Sequence, residues 1–174
     1  MHMASTPTLI SLETYLHTSY SPDCDFVNGE LEERHVGEYP HSKLQSRIVA
    51  WFIRYEREWN IDPLTEQRIR VSLTSFRVCD VCLLRADAPR EAVTVTPPLL
   101  CIEIMSPEDR LARAKVVLED YRAMGVAHIW LVDPMRRAAY TYDANGLHVT
   151  GTERMEIPES PIYLPLDELF STLD

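Results

Sequence analysis

The chain has 174 residues, 45% of them hydrophobic, and its 27 acidic against 17 basic side chains give a formal charge of −10. That is the size and composition of one globular domain, residues 1–174, and the acidic balance argues against a general nucleic-acid binder, whose phosphate affinity comes from clustered Lys and Arg. No run of about 18 uncharged apolar residues occurs, and the start MHMASTPTLISLETYL lacks the basic and apolar blocks of a signal peptide, so no membrane partner and a cytoplasmic location are expected.

Ser11 is placed to cap a short helix through LETYLHT, with Glu13 in its first turn. CDFVNGELEERH carries an Asn-Gly pair between two alternating segments, a hairpin signal that brings Glu30 into a strand. From His41 to Trp59, Leu44, Ile48, Trp51 or Phe52, Tyr55 and Trp59 recur at helical spacing, which predicts the longest helix. LTEQRIRVSLT and FRVCDVCLL follow as strands joined by a Thr-Ser turn, then a loop over Arg85 to Thr96. LLCIEIM, flanked by Pro97, Pro98 and Pro107, reads as a buried strand. Ser106 as cap, Pro107 at the first position, and Glu108 and Asp109 at the positive dipole end start a helix that runs to Met124 and stops at Gly125. VAHIWLVDP is a further short strand, AAYTYDANGLHVTG a second hairpin, and PLDELFSTL a closing helix. Strand, helix, strand over residues 99–133 is a crossover that favours parallel pairing, whereas hairpins are antiparallel. The expected class is therefore α/β, a mixed sheet with helices packed on it.

Two carboxylates stand in apolar strands, Asp80 in RVCDVCLL and Glu103 in LLCIEIM. An isolated ionised carboxylate there is costly, so it finds a partner, shifts its pKa or binds a cation. If the two strands are neighbours, the acids converge as hard oxygen ligands suited to Mg²⁺ or Mn²⁺, ions that keep waters and accept substrate phosphate. The other reading, structural ion pairs with Arg68, Arg70 or Arg77, stays open beside it. Cys79 and Cys82 form a C-x-x-C pair, but an offset of three on a strand predicts opposite faces, and no second pair follows at zinc spacing. The four cysteines read as free buried thiols. His41 is either a polar residue near a helix start or a site group. Lys115, beside the stripe of Leu111, Ala114, Leu118 and Tyr121, either snorkels to solvent or bends toward the end of the Glu103 strand.

VNGELEER, PHSKLQSRI, EQRIRV, RVCDVCLL, LLCIEIMSPEDR and DYRAMGVAHIWLVDP, in that order, resemble a large bacterial family of candidate restriction endonucleases, expanded in cyanobacteria, over about residues 10–170. The resemblance implies the restriction-endonuclease-like, or PD-(D/E)XK, fold: a mixed β-sheet flanked by helices, here with an N-terminal helix and β-hairpin. It maps the first acid onto Asp80, the second onto Glu103 and an additional acid onto Glu30, and it matches His41 to a recurring histidine. It implies a magnesium-dependent deoxyribonuclease acting on DNA, with Asp80, Glu103 and the Ile104 carbonyl as metal ligands. Two departures stand out. Cys79 replaces the motif's proline, and Met105 stands where its lysine belongs. Lys115 is the local candidate to supply that charge, and Gln67 an accessory group for orienting water. The alternative implied by Met105 and the acidic total is a catalytically impaired module that binds nucleic acid or a protein partner. Because nucleases that cut both strands are commonly two-fold dimers, a homodimer is also expected.

Overall fold

The computed structural model describes residues 9–35, 37–107 and 111–174. In chain order the elements are α1 (Leu12–Leu16), β1 (Cys24–Val27), β2 (Glu30–Glu33), α2 (Tyr39–Arg54), α3 (Glu56–Trp59), β3 (Ile61–Ser72), β4 (Ser75–Arg85), β5 (Leu100–Ile104), α4 (Leu111–Met124), β6 (His128–Asp133), β7 (Ala138–Asp143), β8 (Gly146–Val149), β9 (Arg154–Glu156), β10 (Tyr163–Pro165) and α5 (Leu166–Ser171). Both Asn-Gly hairpins form. Asn28 (φ +51°) and Gly29 (φ +92°) adopt the paired left-handed conformation that a two-residue turn between twisted strands requires. Gly125 (φ +102°) ends α4 as expected.

Eight strands pair into one mixed sheet among the described residues. β5 and β6 are parallel, joined by the α4 crossover, and the remaining ladders are antiparallel. The long strand β4 organises the sheet. β3 pairs along one of its edges from Ile61↔Arg85 to Ser72↔Ser75, so β1 and β5 share the other edge, β1 at Phe76 and β5 at Val81 to Leu83. Between those two partners the edge forks, and the backbone there is satisfied by side chains: Val78 N–H donates to Asp25 Oδ1 at 2.8 Å. Pro63 is tolerated within β3 because only the β4 side of that stretch is a ladder.

Helices cover both faces. Leu44, Ile48 and Phe52 of α2, with Trp59 and the α5 residues Leu166, Leu169 and Phe170, pack on Val81, Leu83, Ile102 and Val132. Leu118 and Tyr121 of α4 pack on Ile69, Cys82, Cys101 and Leu131. A third, smaller cluster of Tyr15, Phe26 and Phe76 seats α1 and the first hairpin. Of the predicted α4 stripe, Leu118 and Tyr121 are fully buried, Ala114 is half-buried and Leu111 is exposed at the start of the helix.

Three expectations change. The helix predicted over His41 to Trp59 is two helices, broken at Tyr55, which lets Tyr55 and Trp59 stack at 4.5 Å. The small β9–β10 sheet has no counterpart in the predicted elements. Cys79 and Cys82 do not face opposite ways; both enter the α4-side cluster with Cys101, because the alternation of β4 breaks at Asp80, opposite Glu66 with φ +51°. All four cysteines are free and buried. The expected acidic first turn of the fourth helix falls on Glu108 and Asp109, outside the described residues.

Candidate active site

The fork in the edge of β4 opens a polar cleft of about 70 Å³ whose walls include Asp25, Arg34, His41, Asp80, Glu103, Ile104, Met105 and Arg113. The β4–β5 register Val81↔Ile102, continued by one step, sets Asp80 across from Glu103. The two acids thus meet just past the end of the β4–β5 ladder, where both line the cleft.

Asp80 is 1% exposed and every oxygen is engaged. Oδ1 accepts from Arg34 Nη2 at 2.5 Å, and Oδ2 accepts from the Ile104 N–H at 2.8 Å and from His41 Nε2 at 3.2 Å. Burial alone would push its pKa up, but the His41 hydrogen bond, the Arg34 charge and the Ile104 amide overcome that and hold the carboxyl below its ordinary range. For His41, burial opposes the cation, while the hydrogen bond and charge of Asp80 outweigh it and raise the imidazole pKa. His41 Nδ1 is buried and has no hydrogen-bond partner among the described residues.

Glu103 behaves in the opposite sense. Burial and then the nearby Asp80 charge push its pKa well above the ordinary carboxylate value, against the smaller pull of Arg34 and Tyr121. The Tyr121 hydroxyl, fully buried in α4, donates to Glu103 Oε1 at 2.6 Å. The two facing carboxyls are thus shifted in opposite directions, Asp80 down and Glu103 up, and a positive charge between them would favour the ionised form of both.

The donor chemistry fits such a cation. Asp80, Glu103 and the backbone of Ile104 offer hard oxygens at one cleft, and Mg²⁺ needs only one or two carboxylates beside waters and phosphate. Among the described residues no three His, Cys, Asp or Glu side chains gather in metal-binding geometry.

The structure therefore brings Asp80, Glu103, Ile104 and His41 together. It does not bring in the other three candidates. Glu30 is exposed beside the hairpin turn, paired with Val27 at the far end of β2. Lys115 is exposed on α4, whose cleft-facing residues are Arg113, Ala114 and Val117. Gln67 donates to Thr94 Oγ1 at 2.9 Å and pins the loop before β5. The ion-pair reading is met at Asp80, and by a different arginine, Arg34, rather than by Arg68, Arg70 or Arg77. Arg68 and Arg70 lie over the rings of Tyr15 and Phe76. Arg77, 1% exposed, binds Asp25, Glu32 and Asp120 and so ties β1, β2 and α4 to β4 behind the cleft.

Four groups at the site were not singled out from the sequence as site residues. Asp25 reaches the cleft from β1, and the signal was available, since it is an acid between the buried Cys24 and Phe26. Gln45 donates to the Asp80 carbonyl at 3.0 Å and to Glu66 Oε1 at 2.5 Å. Arg113 donates to the Glu33 carbonyl at 2.8 Å, closing the cleft between α4 and the strand that carries Arg34 beyond it. For Gln45, Arg113 and Arg34 no local pattern announces the role, because each acts across the fold.

A family model described as "Uma2: Putative restriction endonuclease" matches residues 12–171. Among solved structures the chain is similar to the "putative nuclease belonging to DUF820" from Anabaena variabilis ATCC 29413, with a TM-score of 0.83 and 21% identity, covering 95% of this chain and 99% of that one. At that identity the likeness speaks for the fold: a mixed sheet flanked by helices, as in nucleases of this type. No curated protein matches the chain.

Proposed function

Since the chain belongs to the Uma2 family of restriction-endonuclease-like proteins, we propose that it is a metal-dependent endonuclease that hydrolyses DNA phosphodiester bonds. The observation that carries this reading is the pairing of Asp80 with Glu103 at a cleft built where β1 and β5 part along β4. Asp80, Glu103 and the Ile104 carbonyl would hold Mg²⁺ or Mn²⁺, which when bound would lower the pKa of a water and neutralise charge on the phosphodiester. His41 and the Ile104 amide fix the orientation of Asp80, and Tyr121 fixes that of Glu103. Arg34 and Arg113 supply positive charge at the cleft, the service a motif lysine would otherwise perform. Cutting both strands takes two such sites, so the reading includes a two-fold dimer, and a cytoplasmic location goes with the substrate.

Calorimetric titration of Mn²⁺ into the wild type and Glu103→Gln, followed by incubation of each with plasmid DNA, tests this. Binding and nicking in the wild type, both lost in the variant, is the expected result; nicking that survives in Glu103→Gln would overturn the assignment. A second reading, a nuclease-fold module that binds without cutting, is favoured by Met105 at the motif's lysine position and by a cleft with no lysine among its described walls. Metal binding and duplex retention without nicking would select it.

A further inference from the structure

Arg34 is unlike the other cations of this region. Arg77 is enclosed by three acids deep behind the cleft. Arg34 follows β2 in the link to α2, at the cleft wall, with its side chain 17% exposed. Its guanidinium spans two carboxylates, donating to Asp80 Oδ1 and to Glu66 Oε2, and it also lies in the field of Glu103 and Asp25. Glu66 stands opposite Asp80 in the β3–β4 register, outside the cleft lining, and is steadied by Gln45. The positive charge that the acid pair calls for is thus already supplied by the chain itself.

A divalent ion on Asp80 and the Arg34 guanidinium would compete for the same carboxylate oxygen and repel each other. A planar guanidinium has a better partner at a nuclease cleft, the two non-bridging oxygens of a phosphodiester, which it binds through parallel N–H donors. Arg113, held at the Glu33 carbonyl beside Arg34, faces the same space.

We propose that Arg34 is a substrate-binding residue that hinders divalent ions at Asp80 until a phosphodiester draws its guanidinium away, so that metal and nucleic acid enter the cleft cooperatively. The inference rests on the nuclease reading and adds a coupling to it: a free enzyme that binds the ion measurably, and a DNA-bound one that binds it about tenfold tighter. By linkage the ion must strengthen DNA binding by the same factor.

The test is calorimetric titration of Ca²⁺, which occupies such sites without supporting turnover, into the full chain with and without a short duplex at low salt. The wild type should bind Ca²⁺ roughly tenfold tighter with duplex present, within the usual range of coupling between sites. Arg34→Gln should bind Ca²⁺ about tenfold tighter than the wild type in the absence of DNA and lose most of the enhancement by duplex. Glu66→Gln, which loosens the far anchor of Arg34 and leaves the Asp80–His41 contact in place, should shift the DNA-free affinity in the same direction by a smaller factor, and it carries the test if Arg34→Gln does not fold. Ca²⁺ binding of equal strength in the wild type and in the folded variants overturns the role of Arg34 while leaving the nuclease site standing. No Ca²⁺ binding by any of them, with or without duplex, overturns both.

Discussion

Asp80 and Glu103 share a cleft and differ in what folding does to their protons. The folded-state pKa of Asp80 is depressed, so its contribution to stability is present above the unfolded carboxylate value and is lost as pH falls through the folded one. The His41 pKa is raised, so its contribution is complete below about pH 6.5 and disappears as pH rises through the folded value. Glu103 is also raised, which means that its ionisation opposes folding once pH passes the unfolded value of about 4.3. Glu103→Gln should therefore unfold at the same or a higher urea concentration than the wild type at pH 8, and gain less at pH 4, while losing metal-dependent cleavage. A variant clearly less stable than the wild type at pH 8 would contradict this ionisation. The two acids were legible in the sequence because an acid in an apolar strand violates the pattern around it. Asp25 violated its own pattern too, but four residues of strand do not reveal that both faces are buried. Arg113 and Lys115 could not be sorted by spacing: they differ by two helical positions, roughly 200° of rotation, and only packing tells which faces the cleft.

Most elements were readable because each is specified locally: the hairpins by Asn-Gly, the fourth helix by its apolar stripe and Gly125, the central strands by their composition. What escaped depends on contacts from afar. The break at Tyr55 follows from Trp59 turning into the core against Phe52 and Tyr163, and β9 pairs with β10 across a turn with no hairpin signature. The hub at Arg77 joins four of these elements. Arg77→Ala leaves Asp25 buried without its cation and should cost about 3–5 kcal/mol, the range for a broken buried pair, read from urea unfolding. The double variant Arg77→Ala/Asp25→Ala should recover part of that loss. At the exposed end of the chain, Ser11 accepts from the Thr14 N–H at 3.0 Å, and Ser11→Ala should cost only about 1 kcal/mol.

The molecule as a whole carries −10 and would bind a polyanion only through the positive charge gathered at its cleft and along its first two thirds. Duplex affinity in Ca²⁺ should fall steeply with salt, and Arg34→Gln should flatten the logarithmic slope by about 0.9, the loss of one phosphate contact. No described helix is long and apolar enough to cross a membrane. The Asp80–Ile104 contact has a bearing on how such a protein ages in evolution. Asp80 terminates a ladder by accepting from the amide at the end of β5, so a lineage that ceased to cut DNA would still keep it to spare a buried N–H. Glu103 answers only the Tyr121 hydroxyl, a side chain that can be replaced together with it, and on the proposed reading its burial would favour that replacement once a metal was no longer needed. Among descendants of this fold, the acid at position 103 is, on the proposed reading, the one whose survival would report on catalysis.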